Sequence, residues 1–473
     1  MSRSNPESSP VTTRTGAVMA EIRQRIGARQ LLPGEKLPSV RGLAATMALS
    51  VSTVVEAYER LVAEGLIRSR PGAGFFVADR LAPLSMAQIG PRLDREVDPF
   101  WVSRQALEAP AQVIKAGCGW LPPDWLPQES LRRALRQLSR GADGPLVDYA
   151  SPQGLPALRQ LLGRRLGARG VEALPEQIIL TESGTQAIDL LCRFLIEPGD
   201  TVLVDDPSYF NFHALLRAHR AHIVGVPYTP TGPCLEAFAA ALAEHRPRLY
   251  ITNSALHNPT GATLAPVTAH RLLKLAQEAG LVIIEDDIFA DFEHSPAPRL
   301  AAFDGLERVV SVGSFSKSLS ASARVGYIAT RPAWVESLVD LKIATFFGGG
   351  QFGAELVLGV LQDKAYPKYL EQLRLRLARA MFEVGRRLTG LGIQPWVQPA
   401  AGMFLWCRLP GGMDAGALSQ AALHEGIVLA PGNVFSVSQG AGDFLRFNVA
   451  QSRDERLFGF LARALERGAA GRA

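Results

Sequence analysis

Apolar residues first recur at helical spacing at Val18, Ile22 and Ile26, and the repeat is stopped by Leu31-Leu32-Pro33-Gly34. Ahead of it, residues 1–14 are rich in Ser, Pro and Thr and read as a disordered lead-in. The pattern predicts a second helix from the cap candidate Ser39, with Val40, Leu43 and Ala44 on its buried side. A third is predicted from Ser50 through Val54, Ala57, Tyr58 and Leu61, with Gly65 as its C-terminal cap. Residues 66–77 then read as two short strands around Pro71-Gly72-Ala73-Gly74. Three helices and a hairpin make a compact unit over residues 15–79.

Residues 80–110 scatter Pro, Asp, Glu and Arg without a sustained period, which predicts a linker with one short helix. Beyond it the texture changes. Short apolar runs at residues 177–180, 201–204, 249–252, 281–284 and 309–312 alternate with helical stretches. Runs that are apolar on both faces are what strands of a covered parallel sheet require, so residues 111–473 are expected to be α/β. Near the chain end, residues 400–406 and 426–432 read as two further strands with a helix between them.

Composition narrows the class. A chain of 473 residues that is 47% hydrophobic and 20% charged has room for two or three folded units. No charged-then-apolar leader and no bilayer-length apolar run are seen, so a cytoplasmic, membrane-free protein is expected. Cys118, Cys192, Cys234 and Cys407 have no paired spacing, and His213, His219, His222 and His270 have no ligand spacing, so neither disulfides nor a metal are expected. The net charge is +5, and residues 1–80 hold 11 Lys/Arg against 7 Asp/Glu. Most of the excess is therefore in the first sixth of the chain, as a nucleic-acid-binding module requires.

Within that first unit, a helix opening with Ser50-Val51-Ser52-Thr53 offers short hydroxyls and backbone amides to phosphate, with Arg41, Arg68 and Arg70 adding charge nearby. The segments Gly34-Glu35-Lys36-Leu37-Pro38-Ser39-Val40-Arg41, Ser50-Val51-Ser52-Thr53-Val54 and Arg70-Pro71-Gly72 resemble the winged helix-turn-helix of the GntR regulators. The resemblance implies that Arg41, Ser52, Thr53, Arg70 and Gly72 meet double-stranded operator DNA. Val51 stands where an arginine is common, and it offers an apolar thymine-methyl contact instead.

The second unit carries a series of polar segments, each ending an apolar run. Glu182-Ser183-Gly184-Thr185-Gln186-Ala187 opens a helix and makes a phosphate cradle. Asp205-Asp206-Pro207-Ser208-Tyr209 presents an aromatic ring, and His257-Asn258-Pro259-Thr260-Gly261 an amide. Glu285-Asp286-Asp287 supplies a carboxylate able to bond a pyridinium nitrogen. Ser314-Phe315-Ser316-Lys317 with Arg324 places an amine among small hydroxyls, close to a cation that can clasp a phosphate. Ligands of open α/β sheets bind at the carboxyl ends of the strands, which is where all five segments fall.

The ordered set resembles the fold-type I aminotransferases. With the winged helix in front, the chain is similar to the MocR subfamily of GntR regulators. The resemblance implies pyridoxal 5′-phosphate as cofactor and a smaller α+β lobe built from an N-terminal arm and residues 365–473. It assigns Lys317 to the Schiff base, Asp286 to the pyridine nitrogen, Asn258 to the ring hydroxyl and Tyr209 to stacking. Thr185, Gln186, Ser314 and Arg324 are assigned to the phosphate, Tyr149 to the phosphate of the neighbouring subunit of a homodimer, and Arg446 to the carboxylate of an amino acid. Related sheets carry a tyrosine two or three residues after the aspartate, where this chain has Ile288 and Phe289, so a hydrogen bond to the ring oxygen is missing. Three functions fit: a regulator that senses an amine, amino acid or the cofactor itself, an aminotransferase with an accessory head, or a cofactor reservoir.

Overall fold

The computed structural model describes residues 13–27, 30–31, 34–70, 72–78, 99–110, 112–141 and 144–470. Residues 1–12 of the expected lead-in, residues 80–98 of the expected linker and the hairpin residue Pro71 lie outside the described residues. The chain divides into two compact units, residues 1–92 and 93–473.

In the first unit, α1 spans Arg14–Gly27, α2 Val40–Thr46 and α3 Val51–Ala63. Both predicted caps form: Ser39 Oγ accepts from Gly42 N, and Ser50 Oγ from Thr53 N. The chain bends by 118° between α2 and α3, within the range of a helix-turn-helix. Gly65, at φ +71°, ends α3 in the left-handed region that glycine enters without strain. β1 (Ile67–Arg70) and β2 (Gly74–Val77) pair antiparallel with Ile67 opposite Val77. Val18, Ile22, Leu43, Val54, Ala57, Tyr58, Leu61, Ile67 and Val77 form one buried core.

The second unit holds an eight-stranded sheet and a four-stranded one. The strands of the larger sheet are β3 (Ile178–Thr181), β4 (Thr201–Asp206), β5 (His222–Thr229), β6 (Gly232–Pro233), β7 (Leu249–Thr252), β8 (Val282–Asp286), β9 (Val309–Ser314) and β10 (Gly326–Ala329). Their order is β3-β10-β9-β8-β7-β4-β5-β6. The middle five are parallel, while β10 lies antiparallel between β3 and β9, so the sheet is mixed rather than wholly parallel. Successive side chains alternate between two cores: Ile178, Leu180, Leu203, Tyr250, Ile283 and Val309 pack on one face, and Ile179, Val202, Val204, Ile251, Ile284 and Val310 on the other. Burial on both faces explains why these runs read as continuously apolar.

The smaller sheet contains β11 (Gln394–Pro395), β12 (Phe404–Arg408), β13 (Ala430–Pro431) and β14 (Phe444–Asn448), in the order β11-β12-β14-β13. Of the run expected as a strand at residues 426–432, only Ala430–Pro431 joins the sheet, and Ile427 makes an isolated bridge to Ile114. Backbone bonds from residues 114–117 to Gly426, Val428 and Asn448 tie an upstream segment to this lobe. The helix Tyr366–Gly390 lays Leu370, Leu373, Leu377, Met381, Val384 and Leu388 into the unit's cores at helical spacing. Within the stretch expected as linker, Pro99–Glu108 is a helix that belongs with the second unit. No single helix among the described residues is long and apolar enough to cross a membrane.

Candidate functional site

The carboxyl ends of β3, β4, β7, β8 and β9 open on one cavity of about 710 Å³, lined among others by Ser183, Gly184, Thr185, Tyr209, Asn258, Asp286, Ser316, Lys317, Arg324 and Arg446. Lys317 follows β9, and its Nζ donates to Gly119 O at 2.7 Å. Burial lowers its ammonium to about 8, and the nearby Arg446 cation pushes the same way. Asp286 ends β8, where its Oδ1 accepts from Ile288 N at 3.2 Å, and burial raises its carboxyl to about 7. An amine whose proton is loosely held and a carboxylate able to gain from a cationic ring nitrogen face the same space.

Arg446 sits on β14 with 2% of its surface exposed. Its Nη1 donates to Asn258 Oδ1 at 2.8 Å and its Nη2 to Gly117 O at 2.7 Å. The guanidinium carbon lies 4.2 Å from the centre of the Phe404 ring and 4.7 Å from that of Phe435. Burial lowers its pKa to about 10, its Nε has no partner, and no carboxylate pairs with it among the described residues. A buried cation without an anion is costly and fits a site that receives one.

At the other end of the cavity wall, Ser183 caps the helix Gly184–Leu195, accepting from Gln186 N at 3.1 Å, so the helix starts among Ser183, Gly184 and Thr185. Arg324 holds φ at +52°, an uncommon backbone state for a residue with a Cβ. Two expected phosphate ligands are turned elsewhere. The Gln186 side chain accepts from Glu182 N, and Ser314 Oγ donates to Val325 O while receiving Ser316 N. Neither lines the cavity, whereas Ser183 and Ser316, named in the cradle and lysine segments without a ligand role of their own, do. Ser183 carries a readable signal in its place one residue before a helix.

Tyr209, Ile288 and Phe289 line the cavity, and Phe289 packs edge-on to Phe404, so no phenol stands where related sheets have one. Tyr149 lies outside the cavity with 80% of its surface exposed, its ring against Phe347. Val147, Phe346 and Phe347 are exposed too.

Residues 117–120 cross between the two lobes with their carbonyls engaged by site groups. Gly117 O takes Arg446, Cys118 O takes Asn448 Nδ2 at 3.1 Å, Gly119 O takes Lys317, and Trp120 O takes Asn448 Nδ2 at 2.8 Å. A Cβ on Gly117 would fall 2.3 Å from Ala430 N, so the approach demands glycine. This strap and Lys115, which also lines the cavity, carry no motif and were not foreseen.

In the first unit, Arg41, Ser52, Arg70 and Gly72 are exposed and Thr53 is half-buried. The Ser50 hydroxyl lies 2.9 Å from that of Ser52 and 2.7 Å from that of Thr53, which gathers three hydroxyls at the start of α3. Val51 is 48% exposed beside them. Arg70 stacks its guanidinium over Phe76 at 4.6 Å, and Gly72 at φ +73° forms the hairpin tip.

Comparison with known proteins agrees with both halves. The family described as aminotransferase class I and II matches residues 122–463, and that of bacterial regulatory proteins, gntR family, matches residues 14–77. An uncharacterized HTH-type transcriptional regulator of Escherichia coli, YdcR, is 30% identical over 447 residues, covering 92% of this chain and 95% of its own. The 2-aminoadipate transaminase of Thermus thermophilus is 30% identical over 347 residues, 71% of this chain and 85% of its own. The crystal structure of LysN, the alpha-aminoadipate aminotransferase of that organism, complexed with N-(5′-phosphopyridoxyl)-L-leucine, superposes with a TM-score of 0.70 at 27% identity. It covers 77% of this chain and 95% of its own.

Proposed function

We propose that this chain, which belongs to the MocR subfamily of GntR regulators with an aminotransferase class I and II body, is a transcription regulator gated by a small amine or amino acid. The head binds operator DNA in the cytoplasm, and the body carries pyridoxal 5′-phosphate. The observation that carries this reading is that one chain joins a hydroxyl-rich helix-turn-helix to a buried cavity on which Lys317, Asp286, Asn258 and Arg446 converge.

The residues fit the cofactor by their chemistry. Lys317 supplies the amine, Asp286 the carboxylate for the ring nitrogen, Asn258 an amide for the ring hydroxyl and Tyr209 a ring to stack. Ser183, Thr185, Ser316, Arg324 and the first turn of Gly184–Leu195 supply donors for the phosphate. When bound, the cofactor supplies an aldehyde that condenses with amines and an electron-withdrawing ring. Arg446, already desolvated and held by Asn258 and Gly117, orients the carboxylate of an incoming amino acid. A homodimer accounts for Tyr149, whose exposed ring with Val147, Phe346 and Phe347 offers an apolar surface to a second copy. At the head, Arg41, Ser52, Thr53, Arg70 and Gly72 meet the duplex.

A gel-shift assay on DNA upstream of the protein's own gene, with cofactor and a panel of amines, tests the reading. A specific shift that a ligand alters is expected, and no specific shift under any condition overturns it. A second reading, a turning-over aminotransferase with an accessory head, draws on the 30% identity to a transaminase over the body. Phe289 weighs against it, and multiple-turnover conversion of an amino acid to its oxo acid would establish it.

A further inference from the structure

We propose that Lys115 reads a second anionic group, so that the ligand of the cavity is an α-amino acid carrying two negative charges. The inference rests on the cofactor and ligand reading above. Among the lining residues there are four cations, Lys115, Lys317, Arg324 and Arg446, and one acid, Asp286. The cofactor answers three of these five groups: its phosphate meets Arg324, its ring nitrogen meets Asp286, and its aldehyde carbon is tethered by Lys317. Arg446 and Lys115 are left without a counter-charge. The carboxylate common to all amino acids answers Arg446, and a ligand with no other charge leaves Lys115 without a counter-charge in the cavity.

The position of Lys115 follows from the backbone. Ile114 is fixed to the small lobe by bonds to Gly426 and Val428, and Gly117 O holds Arg446, so Lys115 lies within the short segment that positions the carboxylate clasp. Its side chain is half-buried and makes no ion pair or hydrogen bond among the described residues. Lys115 stands two residues before Gly117 and three before Cys118, in the stretch whose carbonyls hold Arg446 and Lys317, and it lines the same cavity as both. Ala106, Leu107, Val113, Phe212 and Leu215 line the same cavity and give room for the methylenes of a longer side chain. A lysine ammonium on a flexible stem is suited to a terminal carboxylate whose reach varies with chain length.

The test uses the full-length, cofactor-loaded protein. L-Glutamate and L-norvaline have the same carbon count and differ in the second carboxylate. Each is titrated while the visible absorption of the bound cofactor is followed. Glutamate is expected to bind roughly tenfold more tightly, the scale of one charge-assisted hydrogen bond. In Lys115→Met that ratio should fall towards one, and in Lys115→Arg it should persist. Retained visible absorption in both variants reports that they fold and hold cofactor. The inference is overturned if norvaline binds as well as glutamate to the wild type, or if the preference survives Lys115→Met. A coloured protein that responds to neither amino acid overturns the amino-acid-sensing reading as well, which keeps the two failures apart.

Discussion

The DNA-facing head and the cofactor cavity assemble their chemistry in opposite ways. In the head, the groups proposed to meet DNA sit on three short stretches near residues 41, 52 and 70, they are set by local caps and a tight turn, and most are exposed. In the cavity, Arg446 bonds to Gly117 across 329 residues and to Asn258 across 188, and burial has moved the pKa of Lys317, Asp286 and Arg446. Local assembly leaves a surface that reads DNA by solvated contacts. Long-range assembly buries charged groups together, where an unpaired charge is expensive and therefore selective.

The comparison can be broken most sharply at Lys317. Lys317→Ala should abolish the cofactor's visible absorption and its trapping by borohydride, while a DNA shift that needs no ligand persists. Trapping that continues unchanged would show that another amine holds the cofactor. In the head, Leu61→Ala removes a fully buried side chain from a small core and should cost about 2–5 kcal/mol of that unit's stability. Thermal melts read by DNA binding and by cofactor absorption should then separate, and coincident melts would mean that the two units unfold together.

A pH series distinguishes a buried amine from a surface one. Only the neutral amine is nucleophilic, and burial has brought Lys317 to about 8. Below that value the rate of cofactor uptake should fall about tenfold per pH unit, and above it the rate should level off. A rate that keeps climbing towards pH ~10 would mean that Lys317 titrates as an ordinary exposed lysine. The mildest test is Ser50→Ala, which removes the cap of α3 and should lower head stability by about 1 kcal/mol, measured by denaturant unfolding of the head.

The same contrast explains what could be read from the sequence. Ser39 and Ser50 were legible as caps because a cap is a local event, and five strands of the large sheet were legible because both faces are buried. β10 (Gly326–Ala329) was not foreseen, and β5 escaped because its apolar positions are broken by glycine, proline and polar residues. Lys317, Asp286, Asn258 and Arg446 came forward as residue types in order, and they do share one cavity. Gln186 and Ser314 do not line it, because the nearby amide of Glu182 and carbonyl of Val325 hold their side chains. The strap escaped for a related reason: its contribution is made by carbonyls, which every residue possesses, so nothing in its side chains marks it.

That strap does more than bridge two lobes. Were Lys317 joined to a cofactor, its nitrogen would keep at most one proton for Gly119, and a guanidinium turned to a carboxylate would have fewer for Gly117. Filling the cavity would therefore weaken the bonds to alternate peptides of one four-residue stretch, while Asn448 keeps its hold on the other two. In chain order the stretch begins nine residues after the helix Pro99–Glu108, on the side of the body's sequence from which the DNA-reading head departs. A filled cavity would thus be registered by two main-chain carbonyls.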